Sequence, residues 1–270
     1  MEAYIIKGYR TAVGKAKKGG FKNYRSDDMA VELIKHLVKN VPELDPTTVN
    51  DVIVGCANPE GEQGLQVGRL ISARALGIEV PGITINRYCA SGLEAISMAV
   101  AKVKAGMGDI YIAGGAESMS LIPMTGYKLA PSYQANKENI NYHVSMGATA
   151  EAVAAKFNIT REAADEFSLA SHQKAANAID QGYFKGEILP IEVEEVFVKE
   201  GKKVTSTHTV AVDEGVRRDT SMAGLSRLRA AFKQGGIVTA GNSSQTSDGA
   251  AFTLVMSEDK IKELGLSPEA

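Results

Sequence analysis

The sequence has few of the residues on which several specialised classes of protein depend. Only two cysteines, Cys56 and Cys89, occur in 270 residues. No disulfide framework is therefore expected, and so small a number of cysteines favours a reducing compartment. The cysteines and histidines also lack the clustered spacing that is typical of zinc ligands. We therefore predict no metal site.

Long apolar runs and an excess of charge of one sign are missing as well. No apolar run reaches the roughly 20 residues that a membrane helix needs, and the first residues resemble neither a signal peptide nor a transit segment. The formal net charge of −2 gives no reason to expect nucleic acid or an anionic membrane as a partner. These absences favour a cytoplasmic protein.

The first 118 residues alternate between short apolar strands and helices. The predicted strands lie at residues 4–6, 51–55, 83–86 and 109–115, and a fifth of similar composition lies at 250–256. Such an alternation is typical of an α/β fold whose sheet is covered by helices on both faces. We expect a mostly parallel five-stranded sheet, and the predicted helix that begins near Cys89 is apolar nearly all round, as a helix buried between layers is.

The pattern changes between the fourth and fifth strands. Residues 121–142 are predicted to form a long loop. Two helices follow, one that opens at residues 145–147 and runs through Phe157 and a longer one that starts at Thr160. The strand pattern resumes at about residue 249. We therefore predict a sheet domain of residues 1–118 plus 249–270 and an inserted domain of residues 119–248.

One stretch of the sheet domain places a cysteine where a strand gives way to a helix. Cys89 is predicted at or near the start of this helix, where unpaired N–H groups and the helix dipole favour a negative charge. The thiolate is the reactive form of cysteine. Small residues follow at Ala90, Ser91 and Gly92 and leave room for a substrate. Cys89 is the candidate nucleophile, whereas Cys56, at a strand end, is predicted to be buried and structural.

Four motifs resemble those of a known family. They are Asn-Arg-Tyr-Cys-Ala-Ser-Gly at 86–92, Ala-Gly-Gly-Ala-Glu-Ser-Met at 113–119, Ser-Met-Gly-Ala-Thr-Ala-Glu at 145–151 and Thr-Ala-Gly-Asn-Ser-Ser-Gln-Thr-Ser-Asp-Gly-Ala at 239–250. In order and spacing the chain resembles the N-terminal half, with the loop domain, of the thiolases. These are the acetyl-CoA acetyltransferases and the 3-ketoacyl-CoA thiolases. The first and last motifs look more like the degradative 3-ketoacyl branch.

The resemblance implies an αβαβα layered half-domain and an inserted α+β loop domain that binds coenzyme A and makes oligomer contacts. It also implies a homodimer or tetramer with acyl-CoA and coenzyme A as substrates and no permanently bound cofactor. Cys89 matches the acyl-accepting nucleophile. The positions that match coenzyme-lining residues are Ser145, Met146, Arg217, Phe232, Ala240 and Ser244. Two positions depart from relatives: Ser145, where some have histidine, and Gly224, where many have serine.

Three further family motifs do not occur in the 270 residues. They are the Gly-His-Pro motif of the catalytic histidine, the Cys-x-Gly-Gly-Gly motif of a second cysteine, and Asn-Glu-Ala-Phe. None of the four histidines, His36, His143, His172 and His208, has such a context. The resemblance thus implies that the catalytic C-terminal half is absent and that the chain is part of a thiolase of roughly 390 residues.

The function that the resemblance implies is reversible thiolytic cleavage of 3-ketoacyl-CoA through an acyl-cysteine, in fatty-acid β-oxidation or acetoacetyl-CoA metabolism. We expect the chain alone to be inactive, and the alternative is a non-catalytic coenzyme-A-binding or dimerisation fragment. Several residues also have plainer interpretations. Arg217 and Arg218 fit a solvated basic face, residues 242–244 fit a turn, residues 86–87 fit support of a loop or dimer contact, and residues 117–118 fit a turn or interface.

Overall fold

The computed structural model describes residues 2–270, and nine strands and eight α-helices occur among them. The strands are β1 Ala3–Thr11, β2 Gly14–Lys15, β3 Asp51–Gly55, β4 Gly82–Ile85, β5 Ile110–Ser118, β6 Ile188–Leu189, β7 Ile191–Lys199, β8 Lys202–Val210 and β9 Ser247–Ser257. The helices are α1 Ser26–Lys39, α2 Val67–Ala75, α3 Ser91–Lys104, α4 Tyr133–Glu138, α5 Met146–Phe157, α6 Arg161–Asp180, α7 Met222–Ser226 and α8 Glu258–Leu264. None of these helices is both long enough and apolar enough to cross a membrane.

The described residues form two compact units. The first contains the chain up to Tyr127 together with Lys185–Glu214 and Thr246–Ala270, and the second contains Lys128–Phe184 and Gly215–Gln245. These bounds differ from the predicted insertion of residues 119–248. Residues 185–214 belong to the first unit because β6 within them pairs with β1 of the sheet, at Arg10 with Ile188.

The first unit is built on a mostly parallel sheet. Seven strands of the described chain form it in the order β4-β3-β5-β9-β1-β6, with β2 paired to β9. Strand β9 runs antiparallel to β5, β1 and β2, and the remaining pairs are parallel. The five predicted strands are all present. The two additional ones, β2 and β6, have two residues each and are too short to give a periodic signal.

Helices cover both faces of this sheet, as predicted. Alternate residues of a strand point to opposite faces. Thus Ile112 of β5 packs in the larger apolar cluster with α1, whereas Tyr111 and Ala113 pack in a smaller cluster with Ala95 and Ala99 of α3. Side chains of α8 join the first cluster. The result is a layered α/β unit. Among the described helices of this unit, α3 is the one that packs against its face of the sheet.

Helix α3 is less buried than its apolar composition predicts. Its buried residues are Ser91, Ala95, Ala99 and Val103, which form one stripe at helical spacing. Leu93, on another face, is 72% exposed. The expectation of burial on all sides is therefore wrong for the described chain, because only the sheet side of the helix is covered.

The second unit has few buried apolar side chains. Within its described part, they are Ala154, Leu225 and Val238. The segment predicted as a long loop contains the short helix α4. The predicted starts of α5 and α6 are confirmed, since Ser145 and Thr160 accept hydrogen bonds from the third residue beyond them, at 3.3 and 3.1 Å.

Candidate active site

Cys89 lies in a tight turn between β4 and α3, two residues before the helix begins. Tyr88, directly before it, adopts a left-handed backbone with φ of 47°, which is strained for a residue with a side chain. The Ser91 hydroxyl stabilises the turn by accepting a hydrogen bond from the Arg87 N–H (2.8 Å) and donating one to the Tyr88 carbonyl (2.6 Å). The turn leaves the Cys89 thiol exposed at the start of a helix.

A glycine at the end of β3 allows α3 to start this close to the sheet. A Cβ atom on Gly55 would lie 2.5 Å from the carbonyl carbon of Ser91 and 2.7 Å from the nitrogen of Gly92. Real Cβ atoms do not approach backbone atoms so closely. The position of the cysteine turn therefore depends on the absence of a side chain at residue 55.

A mostly apolar cavity of about 760 Å³ opens beside the thiol. Cys89, Gly92 and Ile96 line it from the turn and α3, and Ala251 and Phe252 line it from β9. Its size lies within the range of small-molecule sites. The geometry thus combines an exposed nucleophile with space for an apolar ligand.

The second cysteine has the opposite environment. Cys56 is 1% exposed, and its sulfur lies 3.3 Å from the Gln63 side-chain nitrogen and 3.8 Å from a carboxylate oxygen of Glu117. Burial, and then the charge of Glu117, raises the pKa of Cys56 to about 12. It remains a neutral thiol near pH 7, in agreement with its predicted structural role.

Glu117 and Ser118, at the end of β5, are engaged in contacts within the chain. Glu117 accepts hydrogen bonds from the Ala57 N–H (2.6 Å) and from the Gln63 side chain (2.7 Å). Ser118 donates to Asp248 (3.2 Å). The plainer interpretation, a turn role, fits these contacts. Gln63 was not among the predicted site residues, because it lies 54 positions from Glu117 and no local pattern joins the two.

Three of the six residues that match coenzyme-lining positions come together at the start of α5, in the second unit. Ser145 is the N-cap and its hydroxyl accepts the Ala148 N–H. Met146 is 72% exposed. The Phe232 ring packs so tightly on Gly147 that a Cβ atom there would lie 2.2 Å from it. Ser145, Met146 and Phe232 therefore form an exposed surface that has both polar and apolar groups.

The two neighbouring arginines of the second unit differ in their engagement. Arg218 forms a two-pronged ion pair with Asp180, both contacts at 2.8 Å. The Arg217 side chain is exposed, and its guanidinium has no polar partner among the residues that the structure describes. Its backbone N–H donates to His172 (3.2 Å), a residue that the sequence patterns did not single out. Arg217 is therefore the one available for an anionic ligand.

The turn at residues 239–244 separates structural from available side chains. Asn242 accepts the Thr239 N–H (2.7 Å) and donates to the buried Asp165 of α6 (2.9 Å). Ser243 donates to the Thr239 carbonyl (2.6 Å). Ser244 and Ala240 are exposed, and the Ser244 hydroxyl makes only a long contact of 3.4 Å. The turn-forming interpretation fits Asn242 and Ser243, while Ser244 is accessible.

Comparison with known proteins identifies the family. The sequence profile described as "Thiolase, N-terminal domain" matches residues 3–259. The chain belongs to the thiolase family. It is similar to a 3-ketoacyl-CoA thiolase of Bacillus subtilis, at 47% identity over 269 residues, which are 99% of this chain and 68% of that protein. A 3-ketoacyl-CoA thiolase of Saccharophagus degradans is 42% identical over all of this chain and 67% of its own length.

A solved thiolase has the same fold. The crystal structure of the Bacillus anthracis acetyl-CoA acetyltransferase superposes with a TM-score of 0.82 at 32% identity, covering 99% of this chain and 68% of that one. The α/β fold class predicted from the strand pattern and the predicted thiolase membership are both confirmed. The relatives' names also support a thiolase-type acyltransferase.

Proposed function

We propose that Cys89 is the acyl-accepting nucleophile of a thiolase that cleaves 3-ketoacyl-CoA. The observation that carries the proposal is the exposed thiol at the start of α3, beside a mostly apolar cavity. Backbone N–H groups at a helix start also suit the oxyanion of a thioester under attack. The degradative branch is favoured because the two relatives compared above that are most similar in sequence carry the name 3-ketoacyl-CoA thiolase.

In the proposed reaction, the Cys89 thiolate attacks the keto carbon and forms a tetrahedral adduct in which the keto oxygen carries the negative charge. As this oxygen re-forms its double bond to carbon, the carbon–carbon bond breaks and an acyl-cysteine thioester results. The electron pair of the broken bond leaves with the acetyl-CoA fragment as an enolate, which takes up a proton. Coenzyme A, as its thiolate, attacks the acyl-cysteine and releases acyl-CoA and Cys89. The reverse sequence of steps is a condensation. The proton transfers need a base and an acid, for which the family motifs do not occur in these 270 residues.

The coenzyme contacts are proposed to come from Ser145, Met146, Arg217, Phe232, Ala240 and Ser244. The Arg217 guanidinium suits the phosphate end, because its planar fork matches phosphate oxygens. The exposed Met146 and Phe232 suit the less polar part of the coenzyme. Coenzyme A is a substrate in this proposal, and no permanently bound cofactor is expected. A cytoplasmic homodimer or tetramer stays the prediction for location and assembly.

Acyl transfer to the thiol tests the role of Cys89. On incubation with acetyl-CoA, intact mass is expected to show one acetyl group, and peptide mapping is expected to place it on Cys89. Cys89→Ser should stay unlabelled, whereas Cys56→Ala should be labelled as the parent chain is. Labelling elsewhere, or none in a folded sample, would contradict the proposal. Steady-state thiolysis of acetoacetyl-CoA by the 270 residues alone is expected to be undetectable.

A second candidate function is coenzyme A binding without catalysis. The observation that favours it is that all six coenzyme candidates lie in the second unit and none needs the cysteine turn of the first. Calorimetric titration with coenzyme A measures this binding directly. Arg217→Ala is expected to weaken it about tenfold through a lost charged contact. Arg218→Ala, the matched control, removes the same charge from an ion pair and is expected to change affinity less than about twofold.

A further inference from the structure

We infer that Glu117 is a positioning residue for the Cys89 turn, acting through the backbone of Ala57 and the side chain of Asn86. The inference rests on the proposed role of Cys89 as nucleophile. It concerns four residues from separate parts of the chain that meet at the carboxyl ends of β3, β4 and β5. We call the set Glu117, Gln63, Ala57 and Asn86 the turn support.

Asn86 is the part of the turn support that contacts the strained turn. Its side-chain oxygen accepts the N–H of Tyr88 at 2.8 Å, and its side-chain nitrogen donates to the carbonyl of Ala57 at 3.0 Å. Tyr88 is the residue with the left-handed backbone. A strained conformation persists only where surrounding contacts fix it. The Asn86 amide is such a contact, and Ala57 fixes the amide in turn.

Glu117 holds Ala57 at its N–H, whereas Asn86 holds it at its carbonyl. One carboxylate oxygen accepts the Ala57 N–H at 2.6 Å. Residue 57 is thus held at its N–H by Glu117 and at its carbonyl by Asn86. Hydrogen bonds to an ionised acceptor are shorter and stronger than neutral ones. Glu117 is therefore connected to Tyr88 of the turn by three successive hydrogen bonds, without contacting Cys89.

The contacts of Gln63 explain why residue 117 must be a carboxylate. The Gln63 amide is 0% exposed, donates to the second Glu117 oxygen at 2.7 Å and accepts the Ser118 N–H at 2.6 Å. Two backbone N–H groups, of Ala57 and Ser118, therefore each need an acceptor from this pair of side chains. If both side chains were amides, their two NH₂ groups would face each other. One carboxylate and one amide satisfy all of these contacts.

This pattern gives a substitution and its own rescue. Glu117→Gln creates the pair of amides and is expected to loosen Ala57. The double variant with Gln63→Glu and Glu117→Gln exchanges the two groups. The Ala57 and Ser118 N–H groups then still have an acceptor each, and only the bond between the two side chains reverses its direction. Two bonds from the Gln63 side-chain nitrogen have no counterpart in the exchanged pair: one to the Asn58 carbonyl at 2.9 Å and one to the Cys56 sulfur at 3.3 Å. Asp51→Asn is the matched control, because Asp51 lies at the opposite end of β3 and pairs with Lys102.

Two measurements on the 270-residue chain report on the turn. The first is the rate of hydrogen exchange of the Tyr88 amide, which donates its N–H to the Asn86 side chain. Glu117→Gln is expected to accelerate it about tenfold, the effect of one lost charged hydrogen bond. Alkylation of Cys89 by iodoacetamide is expected to slow about fivefold as the thiol leaves the helix start. The exchanged pair should return both rates to within about threefold of the parent chain, because the neutral hydrogen bonds from residue 63 to Asn58 and Cys56 are still missing.

The control separates positioning from lost stability. Asp51→Asn is expected to lower the free energy of unfolding while changing both rates less than about twofold, since distant sites are independent. The inference is overturned if folded Glu117→Gln keeps both parental rates, if Asp51→Asn reproduces its effect, or if the exchanged pair does not recover. Neither measurement uses coenzyme A. Failure of acetyl transfer to Cys89 in every variant would therefore contradict the proposed function alone and leave the turn support testable.

Discussion

The segments that follow β3 and β4 each carry a cysteine, and their chemistry is opposite. Neighbouring parallel strands bring their carboxyl ends to the same edge of a sheet, so Cys56 and Cys89 start from equivalent places. After β3 the chain turns inward, where Gln63 and Glu117 pack around the sulfur. After β4 a strained turn and the start of α3 leave the sulfur exposed. Thiol reactivity therefore depends on what packs after the strand end, not on the strand.

The largest expected difference between the two segments is the rate of alkylation. At pH 8, iodoacetamide is expected to modify Cys89 at least about a thousandfold faster than Cys56, because the buried thiol reacts only after an opening that costs about 4 kcal/mol. Intact mass over time should show one fast addition. Cys89→Ser should lose that addition and Cys56→Ala should keep it. Comparable rates at both thiols would remove the contrast on which the comparison rests.

The sequence patterns located the exposed cysteine but not what supports it. A helix start is a local feature, so the strand, the small residues and the following apolar helix predict the Cys89 turn. The contacts of Glu117 with Ala57 and Gln63 join residues 60 and 54 positions apart. Such contacts depend on which strands become neighbours, and sequence periodicity carries no information about that pairing. The same reason explains why residues 185–214, which the patterns place in the insertion, group with the first unit through the pairing of β6 with β1.

The next effect in size concerns the close approach of the two segments at Gly55. Gly55→Ala would place a methyl group 2.5 Å from the Ser91 backbone, and shifting α3 to relieve the contact is expected to cost about 3 kcal/mol of unfolding free energy. Gly186→Ala is the matched control, because no heavy atom lies within 4 Å of its Cβ position. Its effect should stay within about 0.5 kcal/mol. Urea unfolding of the two variants measures the difference, and equal stabilities would show that the turn tolerates displacement.

A smaller expected effect is the contribution of the buried Cys56 thiol to the pH dependence of the free energy of unfolding. The pKa of Cys56 is raised from 9.0 to about 12 in the folded chain. Its contribution to stability is therefore complete below pH 9 and is lost as the pH rises towards 12, at about 1.4 kcal/mol per pH unit. Unfolding free energies between pH 8 and 10 should fall more steeply for the parent chain than for Cys56→Ala. Parallel slopes for the parent chain and Cys56→Ala would mean that Cys56 ionises in the folded state as readily as in the unfolded one.

In the second unit, the sequence patterns predicted two helix starts but not which side chains are engaged within the chain. Ser145 and Thr160 cap α5 and α6 as predicted, because capping needs only a hydroxyl three residues from an N–H. The family resemblance selected Arg217, but charge and composition alone did not distinguish it from Arg218. Their difference arises from Asp180, 38 residues before Arg218, which forms an ion pair with Arg218 alone. Adjacent identical residues thus acquire different availability from a partner that is distant in sequence.

The smallest effect concerns the charged pair beside the cysteine turn. Arg87 and Glu94 lie 2.9 Å apart, but their side chains are 65% and 33% exposed, so Glu94→Gln is expected to cost no more than about 0.5 kcal/mol. Asn86→Ala, one residue from Arg87, is the contrasting variant, because it removes both hydrogen bonds of the amide and is expected to cost about 2 kcal/mol. Urea unfolding and Cys89 alkylation should both rank the asparagine above the ion pair. The opposite ranking would mean that the surface charge, and not the amide contact with Ala57, holds the turn.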